Sequence, residues 1–218
     1  MITILLILMS TAFRTQVSND SDDCYVSKIK NDFSLTAKHA RLGYYTAANG
    51  GYWGYGFCTR YRNVTIPQGA TIDSCWLKTN SYDSHSQTIV NSYIACEDTA
   101  NATAFSTRAD ILNRLLTTNQ GTYNAVEAMS TNNWYKTPYF ANAIQEVVTR
   151  TDWTSGNALV VFWNDWDNRS TQAEERERVL SQIANATSKA CSLIVWYTIP
   201  TEGIKHPLPG VITSRVNQ

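Results

Sequence analysis

The chain has 218 residues, and its 18 basic and 18 acidic residues give a formal net charge of zero. Because the sequence shows no basic stripe, its charge pattern argues against nucleic acid as a partner. Only 17% of the residues are charged, below the roughly 25% of ordinary soluble domains. A surface made polar by hydroxyls and amides rather than by charge is typical of extracellular β proteins, so we predict a secreted protein.

An apolar segment opens the chain, interrupted only by Thr3. Its apolar residues are Ile2, Ile4, Leu5, Leu6, Ile7, Leu8 and Met9. A membrane-spanning helix needs about 20 apolar residues, which excludes a membrane span here. A signal peptide would carry a basic residue before its apolar run, and none is present. Three interpretations stay open: a signal-peptide remnant, a strand packed on its own domain, or a strand inserted into a neighbouring subunit.

We favour insertion into a neighbouring subunit. Residues 1–20 would form an N-terminal arm that acts as a donor strand, combining backbone hydrogen bonds with alternating side-chain pockets. Burying seven apolar side chains would contribute on the order of 10–20 kcal/mol before ordering costs. A head-to-tail contact that does not close on itself generates an open filament, so the predicted partner is the protein itself, as a homopolymer.

After the arm, the pattern predicts one domain over residues 21–198. Residues 43–57 are rich in glycine and aromatic residues and are predicted to form a long loop. Thr137 is the expected cap of a helix over residues 137–150, with Pro138 at its first position. Strands are predicted over residues 58–67, 71–80, 87–97, 157–165 and 191–198. Many short strands with one short helix indicate an all-β fold, a jelly-roll-like β-sandwich, followed by a C-terminal arm over residues 199–218.

The stretch RYRNVTIPQGATIDSCWLKT resembles secreted jelly-roll β-sandwich modules of the DNRLRE and carbohydrate-binding type. SDDCYV before it, and AIQEVVTRTDWTSGNALVVF and SLIVWYT after it, match the same pattern in order, over about residues 21–198. The resemblance implies export to the cell exterior and, for some modules, polysaccharide binding. It transfers no catalytic residues, and the family has a small residue where this chain has Cys75. Together with its apolar arm, the chain is also similar to glycoprotein subunits of extracellular fibrils.

Within the IPQGATI motif, four side chains are expected to face the core: Val64, Ile66, Ile72 and Trp76. Pro67 and Gly69 are expected to shape the corner between two strands.

The five cysteines contain no C-x-x-C pair, which argues against zinc and thioredoxin-like chemistry. In a secreted protein they predict two disulfides and one thiol. Cys75 and Cys96 are equidistant from the polar turn 84–87, so a hairpin there would place them opposite each other as a disulfide. The pairing of Cys24, Cys58 and Cys191 stays open. The alternative is five buried thiols that act as small hydrophobic residues.

Sequons of the form N-x-[ST] mark candidate glycosylation sites. Four are predicted to be accessible, in loops or on the outward face of a strand: Asn63, Asn101, Asn168 and Asn185. A fifth sequon begins at Asn19. Covalent glycans are therefore expected if the source organism glycosylates asparagine.

The aromatic loop offers candidate sugar-binding rings at Tyr52, Trp53 and Tyr55, since an aromatic face packs well on a pyranose. The alternative is that these rings pack against the sandwich or a neighbouring subunit. Two acidic clusters carry oxygen ligands that could hold calcium, but neither matches a known calcium loop. They contain Asp20, Asp22, Asp23, Asp165 and Asp167. We therefore expect no metal and no cofactor other than glycans.

The sequence has no G-x-S-x-G, H-E-x-x-H or P-loop pattern, and its three histidines are scattered. We therefore predict that the protein is not an enzyme. The prediction is a structural subunit of an extracellular, glycosylated filament that assembles by insertion of its N-terminal arm. The alternative is a secreted carbohydrate-binding module.

Overall fold

The computed structural model describes residues 10–44, 54–86, 90–170, 176–181 and 187–199. In this part of the chain, twelve strands form two antiparallel sheets packed face to face, with two short α-helices. The all-β sandwich predicted from the sequence is confirmed.

The smaller sheet has the strand order β1-β12-β6-β9 in the described residues. Its strands are β1 (Ser10–Gln16), β12 (Ser192–Thr198), β6 (Thr71–Asn80) and β9 (Trp134–Lys136). β6 has the bounds predicted from the sequence. The N-terminal strand β1 forms one edge of this sheet, so residues 10–16 of the predicted arm belong to the sandwich.

The larger sheet has the order β11-β4-β5-β10-β7-β8, and β2 pairs with β5 and β3 beside it. Its strands are β2 (Asp23–Ser27), β3 (Phe33–Ser34), β4 (His39–Tyr44), β5 (Tyr55–Tyr61), β7 (Ser92–Cys96), β8 (Gly121–Tyr123), β10 (Leu159–Asn164) and β11 (Arg176–Ser181). β5 begins and ends earlier in the chain than the strand predicted over residues 58–67, and β7 is shorter than the strand predicted over residues 87–97. The ends of elements are the least predictable part of a sequence-based assignment.

The main core lies between the two sheets, and a second apolar cluster covers the outer face of the larger sheet. β10 is buried at all six positions, and its five apolar side chains alternate between these two clusters. The outer cluster joins Cys24, Cys58, Val160 and Phe162 to side chains from residues 102–116, a segment we call the covering segment.

The two helices differ from the sequence prediction. α2 spans Ala141–Val148 rather than residues 137–150, and Phe140, which makes no side-chain capping bond, precedes it. Thr137 is not the cap, because its hydroxyl accepts the Leu77 N–H at 3.0 Å. The second helix, α1 (Arg108–Leu112), lies in the covering segment and was not predicted. Thr107 caps it by accepting the Asp110 N–H at 3.1 Å.

Trp76 does not face the core, contrary to expectation. Val64 and Ile66 are fully buried and Ile72 is 7% exposed, but the pairing of β6 with β12 shifts between Trp196 and Tyr197. Such an irregularity reverses the alternation of side chains. Ile72 therefore points inward, whereas Trp76, four residues later, lies on the outer face of the smaller sheet.

Candidate assembly strand and neighbouring surfaces

The candidate assembly element is β1, the polar half of the predicted arm. It pairs with β12 at every position, from Ser10 opposite Thr198 to Gln16 opposite Ser192. Five of its seven side chains are exposed, and Phe13 is the residue of β1 that packs against the main core. The strand is thus held to the sandwich more by its backbone than by its side chains. The predicted assembly residues Ile2 to Met9 lie outside the described residues.

One hydrogen bond establishes which residues of β1 direct their backbone N–H groups at β12. The Val17 N–H donates to the Cys191 carbonyl at 3.0 Å, in the same register as the rest of the pair. Because hydrogen-bonding positions alternate along an antiparallel pair, Thr11, Phe13 and Thr15 direct their N–H groups at β12. Because β1 is the edge strand of this sheet in the described residues, the N–H groups of Ala12 and Arg14 face away from β12, toward the edge.

Side-chain bonds fix the two ends of β1. Ser10 Oγ donates to the Asp73 carboxylate at 2.7 Å, and Thr198 Oγ1 donates to the same oxygen at 2.9 Å. At the other end, Gln16 Nε2 donates to the Ala190 carbonyl at 2.7 Å, and Val17 is 2% exposed. These bonds fix the register of the strand. The groups that accept them belong to residues outside 1–17.

A groove of about 740 Å³ runs along β1 and is lined on its other side by residues that follow β5. Arg62, Asn63 and Thr65 form that side. Its lining is mainly polar, so it is poorly suited to the apolar residues Ile2 to Met9. This mismatch argues against simple addition of the apolar segment to the free edge of β1.

The outer face of the smaller sheet carries a cluster of aromatic rings and lysines that we call the aromatic–lysine face. Lys136 Nζ lies 3.6 Å from the centre of the Trp76 ring and 4.8 Å from that of Tyr139. Lys78 Nζ lies 5.0 Å from the Trp134 ring. Tyr139 and Trp134 are 59% and 39% exposed. No signal in the sequence separated these rings from core residues, because the shift within β6 decides which way Trp76 points.

The predicted sugar-binding loop is described at Tyr55 alone. Tyr55 is 1% exposed, so its ring is not available to a sugar and the prediction is wrong for this residue. Its hydroxyl donates to the Asp32 carboxylate, which also accepts the Tyr25 hydroxyl at 3.1 Å. Burial and the nearby Asp32 raise the pKa of Tyr25 to about 12. Tyr52 and Trp53 lie outside the described residues.

In the described residues, carboxylates of the two acidic clusters form ion pairs and hydrogen bonds within the protein. The Asp22 carboxylate lies 2.8 Å from Arg60 Nη1 and 2.6 Å from Arg62 Nε. Asp165 accepts the N–H groups of Arg169 and Ser170 at 2.7 and 3.2 Å. Among the described residues, no group of three or more His, Cys, Asp or Glu side chains is arranged to hold a metal ion.

All five cysteines are buried thiols in the structure. The hairpin that suggested a Cys75–Cys96 disulfide is wrong, because β6 and β7 belong to different sheets. Both residues nevertheless lie in the main core, and Cys75 is close enough to help burial raise the pKa of Cys96. The pair stays a prediction, as a bond across the core rather than along a hairpin. Cys191 Sγ accepts the Tyr61 hydroxyl at 3.3 Å.

Three predicted glycosylation sites, Asn63, Asn101 and Asn168, are exposed. Asn63 lies just beyond β5 rather than on the strand, with a φ of 52°. Asn185 lies outside the described residues. The structure thus shows that the asparagines of these three sequons are accessible. Their occupancy by glycans stays a prediction.

The chain matches no protein-family model, and a search of curated proteins found no match. In the described part of the chain, no helix has the length and apolar character needed to cross a membrane.

Proposed function

We propose that the protein is a structural subunit of an extracellular, glycosylated filament in which β1 is exchanged between copies. In this arrangement, β1 of one subunit occupies in the next subunit the site that it fills in its own sandwich. The observation that carries the proposal is the complete pairing of β1 with β12 by a strand that buries little side-chain surface.

Exchange would preserve every contact of the strand. The β12 backbone, Asp73 and the Ala190 carbonyl would bind the same atoms whether β1 came from the same chain or from another. Such an exchange of an identical element is a low-cost route to assembly, and it forms an open polymer when the exchange does not close into a ring. The linker between β1 and β2, residues 17–22, would have to redirect the strand.

The apolar residues Ile2 to Met9 would strengthen the exchanged contact. They directly precede β1, so a donated β1 would bring them to the subunit that accepts it. Seven apolar side chains that are costly to leave in water would favour the joined state over the separate one. Glycans at exposed asparagines would then coat the filament.

Two neighbouring proline variants of the full chain test which edge is used. Thr11→Pro removes an N–H that bonds β12, whereas Ala12→Pro removes an N–H at the free edge; each places proline in the same edge strand. If β1 is exchanged, electron microscopy should show filaments for the wild type and for Ala12→Pro, and dispersed particles for Thr11→Pro. Circular dichroism should confirm that both variants stay folded.

The opposite pattern, with filaments lost only in Ala12→Pro, would indicate strand addition at the free edge and overturn the exchange. A chain lacking Met1–Val17 provides a second control, and it should form no filaments. Dispersed wild-type particles would overturn the filament proposal itself.

Binding of an anionic polysaccharide is the second candidate function, supported by the aromatic–lysine face. Exposed rings can stack on pyranoses, and Lys78 and Lys136 supply positive charge beside them. Affinity electrophoresis in gels that contain polygalacturonate should show retardation of the wild type. Trp134→Ala should abolish it, while the matched change Tyr82→Ala, at a ring 41% exposed elsewhere, should not. Equal mobility with and without the polysaccharide would exclude this function.

A further inference from the structure

Cys24 and Cys58 lie directly opposite each other on the adjacent strands β2 and β5. The Lys28 N–H donates to the Gly54 carbonyl at 3.0 Å in the same register. Counting back by pairs, Cys24 and Cys58 occupy a hydrogen-bonded position of the ladder. The Cα atoms of such a pair are about 5.5 Å apart, which is within the most frequent range for disulfides.

The side chains of the two cysteines share one environment. Directly opposed residues of an antiparallel pair point to the same face of a sheet, and both thiols lie in the outer apolar cluster with no exposed surface. The Cys58 thiol lies close enough to Cys24 to help burial raise the pKa of the Cys24 thiol.

We propose that Cys24 and Cys58 are a disulfide site that is oxidised as the chain folds in an oxidising compartment. The co-reactant is a protein or small-molecule disulfide. One cysteine, as its thiolate, attacks that disulfide and releases one thiol. The other cysteine then displaces the second thiol from the mixed disulfide. One sulfur–sulfur bond forms, one breaks, and the two protons pass to the released thiols.

The order of events follows from burial. Burial and the neighbouring Cys58 thiol raise the pKa of Cys24 well above its usual range, which disfavours the attacking thiolate in the folded protein. Phe105 and Ile111 of the covering segment also pack on the same cluster. Oxidation therefore precedes closure of the covering segment.

The test uses the full chain produced in an oxidising secretory compartment. The protein is denatured with N-ethylmaleimide and without reductant, digested, and mapped by mass spectrometry. A peptide pair linked through Cys24 and Cys58, with neither residue alkylated, is the expected result. Alkylation of either residue, or a link from either one to another cysteine, would overturn the proposal. The outcome does not depend on whether the chain polymerises.

A thermal measurement gives an independent readout. The bond would close a loop of roughly 34 residues, so reduction should lower the Tm by roughly 10 °C. The drop should persist in Cys75→Ala/Cys96→Ala and be lost from Cys24→Ala/Cys58→Ala. Persistence of the full drop in the second variant would contradict the assignment.

Discussion

The indole nitrogen of Trp153 donates a hydrogen bond to the Ile66 carbonyl at 3.0 Å, and Trp153 is 2% exposed. This bond joins the two halves of the chain. Ile66 belongs to the IPQGATI segment, and Trp153 lies between α2 and β10. Beside it, the Gly156 N–H donates to the Val64 carbonyl at 2.9 Å. The corner between β5 and β6 is thus fixed by a loop that follows it by almost 90 residues.

Removal of the indole donor should destabilise this corner. Trp153→Phe keeps a large ring but leaves the Ile66 carbonyl without this donor. We expect the free energy of unfolding in urea to fall by about 1–3 kcal/mol. Trp134→Phe, at a ring 39% exposed, is the matched control and should change it by less than about 0.5 kcal/mol. Equal effects of the two changes would show that the bond does not hold the corner.

Arg114 anchors the covering segment. Its side chain is 4% exposed and lies 2.8 Å from Glu97 and 3.0 Å from Asp110. Arg114→Met leaves these carboxylates without their buried partner, so we expect a loss of about 3–5 kcal/mol in chemical unfolding. Arg150→Met removes a more exposed arginine that also contacts two aspartates, and this control should cost about 1 kcal/mol or less.

Arg114→Met also tests whether the covering segment limits access to the proposed disulfide site. In protein kept reduced, opening of the covering segment should expose Cys24 and Cys58. Arg114→Met should therefore speed their alkylation by N-ethylmaleimide under native conditions, and Arg150→Met should not. A rate unchanged from the wild type would show that the covering segment does not limit access.

Glu146 on α2 should make stability depend on pH. Burial acts to raise the pKa of its carboxyl, but the N–H groups of Asn119 and Thr118 outweigh burial and lower it. The folded-state pKa thus lies below the unfolded value of about 4.3. The resulting stability is present above that unfolded value and is lost as the pH falls through the folded pKa.

Glu146→Gln should remove this contribution. We expect it to lower the free energy of unfolding at pH 7 by about 1 kcal/mol. The difference from the wild type should shrink below about pH 4. Asp20→Asn, at an exposed acid, is the matched control and should change the free energy of unfolding at pH 7 by less than about 0.5 kcal/mol. A Glu146→Gln effect that stays constant from pH 7 to pH 3 would contradict the assignment.

Asn63 should carry a glycan when the chain is secreted by a host that glycosylates sequons. Its side chain is exposed and lines the groove along β1. Asn63→Gln should therefore lower the intact mass by one N-glycan. After glycosidase treatment, the wild type and the variant should differ in mass only by the substitution itself. An unchanged glycan mass would show that the site is unoccupied.

The sequence by itself determined the elements whose patterns are local. The strand predicted over residues 71–80 is β6 with its observed bounds, and the helix predicted over residues 137–150 contains α2. Composition and short strands indicated the all-β sandwich. Each of these features is indicated by a pattern of residues within one short segment of the chain.

Only the tertiary structure decided features that depend on distant partners. Ile72 and Trp76 have the same place in the alternation, but the shift between β6 and β12 sends Trp76 outward. Cys75 and Cys96 are symmetric about a turn, yet their strands enter different sheets, whereas Cys24 and Cys58, with no such symmetry, meet on adjacent strands. Sheet order and register are set by long-range pairing, and spacing along the chain does not encode them directly.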